Sequence, residues 1–293
     1  MLTGQPATRT INVRAAGIDV MARQARVAAV DGQGSLLAAA SHSGSDAAAA
    51  LRVALDATKQ PDTVIGIASE DAAVSGFAPE SRGGIFHTKE ALVTAEAWVG
   101  AAKEARNAVC LWLGDRVLAA MLLNGAFWGG AHGLAGHAAW LALNPVERQD
   151  YRKYGSFAAE VNDQGIARRL AWRVQAGDES IVVERAGGLH AIAANHVFEG
   201  ARESDGVALS VVRDTARYIA MAAANLAIAV DPELVVIGGP ITSAADLLHD
   251  ALKQDFDRRL PPAMVSRVRC EFSSLGENAI AIGAARLAMA ARA

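Results

Sequence analysis

Apolar positions recur along the chain with two different periods, and the switches between those periods mark its elements. Three β-rich runs, "TINVRAAGIDV", "QARVAAVDGQGSLLAAA" and "TVIGIAS", read as strands, with Asp31-Gly32 as a hairpin turn inside the second. Between them, Ser45 to Lys59 carries apolar residues at helical spacing behind a serine or aspartate cap. Residues 70–87 are rich in Gly, Ser and Pro and read as a loop, and a helix is predicted from about Lys89 to Arg106. The stretch "NAVCLWLGDRVLAAMLLNG" then repeats the strand–turn–strand pattern, with Asn124-Gly125 as the next turn. The opening pattern therefore occurs twice, near residues 11–37 and 108–128, an internal echo that predicts two related lobes.

From Ala158 onward the pattern is mostly helical, with a long amphipathic helix over roughly Gly206 to Val230. "DPELVVIGGPI" reads as a buried strand ending in Gly238-Gly239; a further helix, the strand "RVRCEFSS" and a final helix over "NAIAIGAARLAMAA" complete the chain. Strands alternating with helices specify an α/β fold. The predicted division places residues 1–107, joined by 279–293, in an N-terminal lobe and residues 108–278 in a C-terminal lobe.

Composition narrows the class. With 52% hydrophobic and 20% charged residues the chain has the balance of a soluble globular protein, and a net charge of -3 gives no polyelectrolyte signature for nucleic acid. Cys110 and Cys270 are far apart with no CxxC spacing, which fits buried thiols in a reducing cytoplasm. The start "MLTGQPATRT" is polar, lacks an export signal and reads as a loose terminus. Charges interrupt each alanine-rich segment before a membrane span accumulates, so a cytoplasmic location and no membrane contact are expected.

Four segments carry a resemblance. "GVALSVVRDTARYIAMAAANLAIAVDPELVVIGGPIT" and "SSLGENAIAIGAARLA" are similar to the C-terminal lobe of the ROK family (repressors, open reading frames and sugar kinases). "LNGAFWGGAHGLAGH" resembles the family's segment after the second strand pair, and "GIDV…VAAVDGQGSLLA" its first hairpin. The resemblance implies a ribonuclease-H-like, actin-like ATPase (sugar kinase) fold of two lobes around a cleft, commonly a homodimer. It also implies a sugar as ligand, with ATP and Mg as cofactors if the chain is an active kinase and an aspartate as general base. A DNA-binding repressor of this family needs an N-terminal helix-turn-helix, and this chain opens almost directly on its first strand, so DNA binding is not expected.

Position by position, the implied chemistry is incomplete. The family's first phosphate turn is Asp-x-Gly-Gly-Thr, whose glycines let backbone N–H groups approach phosphate. Here Asp19 stands, followed by Met21, Ala22 and Arg23; Arg23 is either a charge-assisted phosphate donor or a solvated turn residue. The second turn, Gly-Thr-Gly-x-Gly, is Gly114-Asp115-Arg116-Val117-Leu118, which sets a carboxylate where phosphate would lie and repels it unless a cation intervenes. On the adenosine side Gly238 and Gly239 match the family's double glycine; the alternative is a plain strand-to-helix turn.

The catalytic segment Glu-Asn-Asp-x-Asn aligns with Phe86, His87, Thr88 and Glu90, so Thr88 occupies the base position, where a neutral hydroxyl cannot accept a proton near pH 7. His87 or Glu90 is a substitute base, or else a helix cap and a first-turn carboxylate. Residues 68–87 leave little chain for the family's sugar-hydroxyl segment, which implies a different ligand or loss of sugar binding. For sugar contact the resemblance offers Glu160 and His137. The family's zinc ligands are not matched: Trp140 stands at the histidine position and "YRKYGSFAAEV" has no cysteine, so no metal site is expected and His132 and His137 read as loop histidines. Trp112, Trp128 and Trp140 read as pocket walls or as core and interface residues. The leading expectation is a catalytically degenerate sugar-kinase homologue acting as a ligand-binding or regulatory protein. The alternative is a divergent ATP-dependent sugar kinase.

Overall fold

The strand β1 (Ala15–Val20) is buried along its whole length, as a sheet's central strand must be when both faces are covered. It pairs antiparallel with β2 (Gln24–Val30), which pairs antiparallel with β3 (Leu36–Ser43). On its other side β1 runs parallel to β4 (Val64–Ala68), and β4 to β5 (Gly84–Phe86), giving the order β3-β2-β1-β4-β5. The computed structural model describes residues 15–58, 63–71, 74–75 and 83–292. The loose terminus, the first residues of the opening strand, Lys59 of the first predicted helix, and residues 72–73 and 76–82 of the 70–87 loop lie outside the described residues.

The predicted turn at Asp31 forms because its Oδ1 accepts the N–H groups of Gln33 (2.8 Å) and Ser35 (2.9 Å). Helix α1 (Ala47–Thr58) buries Ala47, Ala50, Leu51, Ala54 and Leu55, one face at helical spacing, and Asp46 caps it by accepting the Ala49 N–H at 2.8 Å. Helix α2 runs Thr88–Trp98, shorter than the Lys89–Arg106 prediction. Its end is capped locally: the Glu96 carboxylate accepts the Ala101 N–H at 3.0 Å and the Glu96 carbonyl accepts that of Ala102. A Cβ at Gly100 would fall 2.7 Å from the Glu96 Cα, backbone that cannot swing aside, so glycine lets the chain leave here.

The second sheet repeats the first. β6 (Ala108–Leu113) pairs antiparallel with β7 (Val117–Leu123), and β7 with β8 (Ala126–Phe127) through a turn at Asn124 and Gly125, whose φ values of 54° and 82° are those of a type I′ hairpin. β6 also runs parallel to β9 (Leu234–Gly238), and β9 to β10 (Arg269–Phe272). The order β8-β7-β6-β9-β10 is therefore the plan of the first sheet again, the echo read in the sequence.

The helices between β8 and β9 are α3 (Gln149–Tyr154), α4 (Ala158–Val161), α5 (Asp163–Gln175), α6 (Val182–Arg185), α7 (Ala194–Arg202) and α8 (Gly206–Val230). After β9 come α9 (Ala245–Arg259) and α10 (Pro262–Val265). The longest, α8, starts where Asp205 accepts the Ala208 N–H at 2.8 Å and stops at Asp231 in the left-handed region, matching the predicted span.

The chain divides into two compact units, Met1–Ala95 with Ile280–Ala293, and Glu96–Ala279. In the first, the final helix α11 (Ala279–Ala290) lies directly on β1 and β4. A Cβ at Gly17 would sit 1.7 Å from the Ala281 carbonyl oxygen, and one at Gly66 2.1 Å from that of Ala284. Among the described residues no helix is long and apolar enough to cross a membrane.

Candidate functional site

The first unit holds the aspartate, turn and helix-start positions. Asp19 is fully buried on β1, opposite Arg26 in the β1–β2 register. The turn after it closes on itself: the Met21 N–H donates to the Gln24 carbonyl at 2.7 Å. Arg23 is exposed, donates from Nε to the Ser45 carbonyl at 3.2 Å, and accepts the Gly44 N–H on its own carbonyl. At the start of α2, His87 Nδ1 accepts the Lys89 N–H at 3.3 Å and lies 3.4 Å from Glu70 Oε1, so His87 does cap the helix. Glu90 is a partly buried first-turn carboxylate. Thr88 is 1% exposed, and its hydroxyl has no hydrogen-bond partner among the described residues. Lys89, which sequence reasoning passed over, is buried; burial lowers its pKa and the Glu70 carboxylate opposes that shift.

The second unit brings Gly114 and Gly239 together. Gly239 has φ of 90° and turns the chain from β9 toward Pro240. A Cβ at Gly114 would lie 2.7 Å from the Pro240 ring, and one at Gly239 2.7 Å from the Leu113 carbonyl oxygen. Gly238, the last residue of β9, is buried beside them. Gly114 and Pro240 border a pocket of about 370 Å³ that Asp163, Asn195 and Arg202 also line. Burial raises the Asp163 pKa and the neighbouring Asp115 carboxylate raises it further. Arg202 is held by Asp246 at 2.8 and 3.0 Å and by the Ser243 carbonyl.

Glu160 and His137 sit in contrasting surroundings. His137 is exposed at the start of a short 3-10 turn, Ala138–Trp140, and makes no side-chain cap. That turn is tied to the start of α4, where the Phe157 N–H donates to the Ala139 carbonyl at 3.1 Å. Glu160, 1% exposed, accepts the Tyr151 hydroxyl at 2.5 Å and Arg148 Nη1 at 3.4 Å on Oε1, and its Oε2 faces Arg169 Nε at 3.8 Å. Burial, and then the Glu160 carboxylate, push the Tyr151 pKa up. Arg169 Nη2 donates to the Glu160 carbonyl (2.9 Å) and to Thr215 Oγ1 (2.6 Å).

Glu160 lines a pocket of about 600 Å³, whose walls include Trp172 and Tyr218. Of the tryptophans singled out in the sequence, Trp112 is fully buried core while Trp128 and Trp140 are exposed; the pocket-lining one is Trp172. Arg169, which lines the pocket, and Thr215, which Arg169 bonds, are polar residues within the buried faces of α5 and α8, a local signal that does not say the two helices meet. Among the described residues no three His, Cys, Asp or Glu side chains come together as a metal site.

The paired five-stranded sheets define the class, a two-lobed α/β protein of the actin-like ATPase type. The ROK family profile matches residues 85–291, and the chain belongs to that family. A glucokinase of Halalkalibacterium halodurans is 33% identical over 190 residues, 64% of this chain and 58% of its own length. A Thermotoga maritima glucokinase is 27% identical over 67% of this chain and 62% of its own length. The match thus spans about three fifths of these relatives. In structure the chain is similar to a ROK family glucokinase from Streptomyces griseus in complex with glucose and AMPPNP (TM-score 0.80, 19% identity, 94% of this chain and 99% of that one). It is similar to nearly the same degree to a ROK family transcriptional regulator, a homologue of the E. coli MLC protein (TM-score 0.79, 19% identity, 97% of this chain and 80% of that one).

Proposed function

We propose that this ROK-family protein binds a carbohydrate-type ligand without the family's phosphotransfer and serves as a ligand-binding or regulatory protein. The observation that carries the reading is Thr88: a buried hydroxyl stands where the resemblance calls for a carboxylate base. Both turns support it. The Met21 N–H closes its own turn, and the Pro240 ring lies against Gly114 where a phosphate would need open backbone. Asp115 and Asp163 add negative charge near the second turn. These residues do not fit a nucleoside triphosphate. Likeness to both a glucokinase and a regulator is consistent with a sugar-sensing role. A cytoplasmic homodimer that contacts no nucleic acid belongs to the same proposal.

A second reading rests on the His87–Glu70 contact of 3.4 Å: in the tautomer whose Nδ1–H donates to Glu70 instead of accepting from Lys89, Nε2 is left as a base at the start of α2 in an ATP-dependent sugar kinase. Calorimetry with a hexose panel, followed by ADP release in the presence of ATP and Mg, separates the two. The first reading expects saturable sugar binding and no sugar-dependent ADP. Tight ATP binding with sugar-dependent turnover overturns it, and loss of that turnover in His87→Gln would then assign the base.

A further inference from the structure

The pocket of about 600 Å³ beside Glu160 shares no lining residue with the one at Gly114 and Pro240. Its floor is electrically unbalanced. One carboxylate, Glu160, faces two guanidiniums, Arg148 and Arg169. Arg173 pairs with Asp178 at 2.8 Å, and Arg217 with Asp214 at 3.0 Å and Asp255 at 3.8 Å, while Asp214 also acts on Arg169; the lining as a whole sets Arg148, Arg169, Arg173 and Arg217 against Glu160, Asp178 and Asp214. Arg169 is 9% exposed, and its Nε and Nη1 make no hydrogen bond among the described residues. A guanidinium has five N–H donors, and a buried one with donors unused is a demand for an acceptor.

The walls supply flat surfaces. Arg148 lies 5.5 Å from the centroid of the Trp172 ring, which is 43% exposed, and Arg169 lies 5.7 Å from that of Tyr218. Arg168 lies closer still to Trp172, at 4.9 Å, so these rings hold the guanidiniums in place, and Leu143, Val211 and Met221 supply apolar surface beside the cations.

We propose that this pocket binds a small organic anion, a carboxylate or phosphate monoester with an apolar body. Its oxyanion sits against Arg148 and Arg169, and its apolar body lies against Leu143, Val211 and Met221 beside Trp172. The site goes beyond the carbohydrate reading, since it selects charge rather than hydroxyl groups, and a neutral sugar does not test it.

The test uses the full chain with benzoate and phenyl phosphate as probes and benzyl alcohol as the neutral control, by calorimetry and tryptophan fluorescence. Saturable binding of either anion is expected, with benzyl alcohol about tenfold weaker or more, the size of one charge-assisted hydrogen bond. The two probes distinguish a carboxylate from a phosphate source. Arg148→Met, at a side chain 40% exposed, should weaken the anion about tenfold while circular dichroism confirms the fold. Glu160→Gln keeps an acceptor for Tyr151 but removes the competing charge, so it should tighten binding. Trp172→Phe should abolish the fluorescence change and leave the calorimetric signal. The proposal is overturned if neither anion binds at millimolar concentration, if benzyl alcohol binds as well, or if Arg148→Met leaves affinity unchanged. Weaker anion binding in Glu160→Gln overturns it too.

Discussion

Ser273 Oγ lies 2.5 Å from Glu96 Oε1, joining the residue after β10 to the last turns of α2 with both side chains buried. Burial raises the Glu96 pKa, and the hydrogen bonds from Ser273 and the Ala101 N–H only partly offset it. The folded protein therefore holds this proton more tightly than the unfolded chain does. Its contribution is fully present below the ordinary glutamate pKa and is lost as pH rises through the raised value. Stability should fall across that window in the parent, and Glu96→Gln should flatten the fall. Urea unfolding at a series of pH values checks it; equal pH slopes for parent and variant refute the assignment.

The contact of α11 with its neighbours sets a second expectation. A Cβ at Gly283 would lie 1.7 Å from the Ala91 carbonyl oxygen of α2, backbone that cannot swing aside as a side chain can. Gly283→Ala should destabilise the first unit by about 3 kcal/mol, the upper range for overpacking a core. Gly125→Ala, whose added methyl meets nothing within 4 Å, costs only the strain of its φ of 82°. The two melting curves should therefore separate clearly.

Glu160 ties the α3–α4 region to α5, so its removal has a structural signature apart from any ligand. Glu160→Ala leaves Arg169 buried without its paired carboxylate and should cost about 3 kcal/mol, as breaking one side of a buried pair does. Tyr151→Phe removes a single hydroxyl donor and should cost about 1–3 kcal/mol. The milder Glu160→Gln carries the functional question. If affinity for every sugar that binds the parent survives in it, Glu160 is not a sugar contact.

The strands, the two sheets of one plan and the long helix were legible because each rests on local periodicity and turn chemistry. Asn124-Gly125 forces a I′ turn whatever surrounds it, and Asp231 ends α8 by its own backbone conformation. The end of α2 was missed although a signal was present. The chain through Arg106 is otherwise rich in helix formers, but Gly100 stands just past the last helical residue, and the Glu96 carboxylate reaching Ala101 completes the stop. The Glu160 pocket stayed hidden for a different reason: Arg148, Arg169, Trp172 and Tyr218 come from separate segments, and only packing assembles them. Glu160 itself was singled out for sugar contact, yet its carboxylate is held by a tyrosine and an arginine that no short motif announces.

Thr88 gives the most direct test of the functional reading. Its hydroxyl is buried without a partner among the described residues, so the isosteric Thr88→Val should leave stability unchanged or raise it by up to about 1 kcal/mol. If the hydroxyl contacts ligand instead, the same variant keeps its fold and loses sugar affinity by about tenfold, which calorimetry would register. Thr88→Asp asks the complementary question by placing a carboxylate at the position the resemblance assigns to the base. It should produce no sugar-dependent ADP release, because the self-closed turn at Met21 and the Pro240 ring against Gly114 are untouched. Turnover in that single variant would mean that both turns still accept phosphate, and the barrier to phosphotransfer would then lie at residue 88 alone.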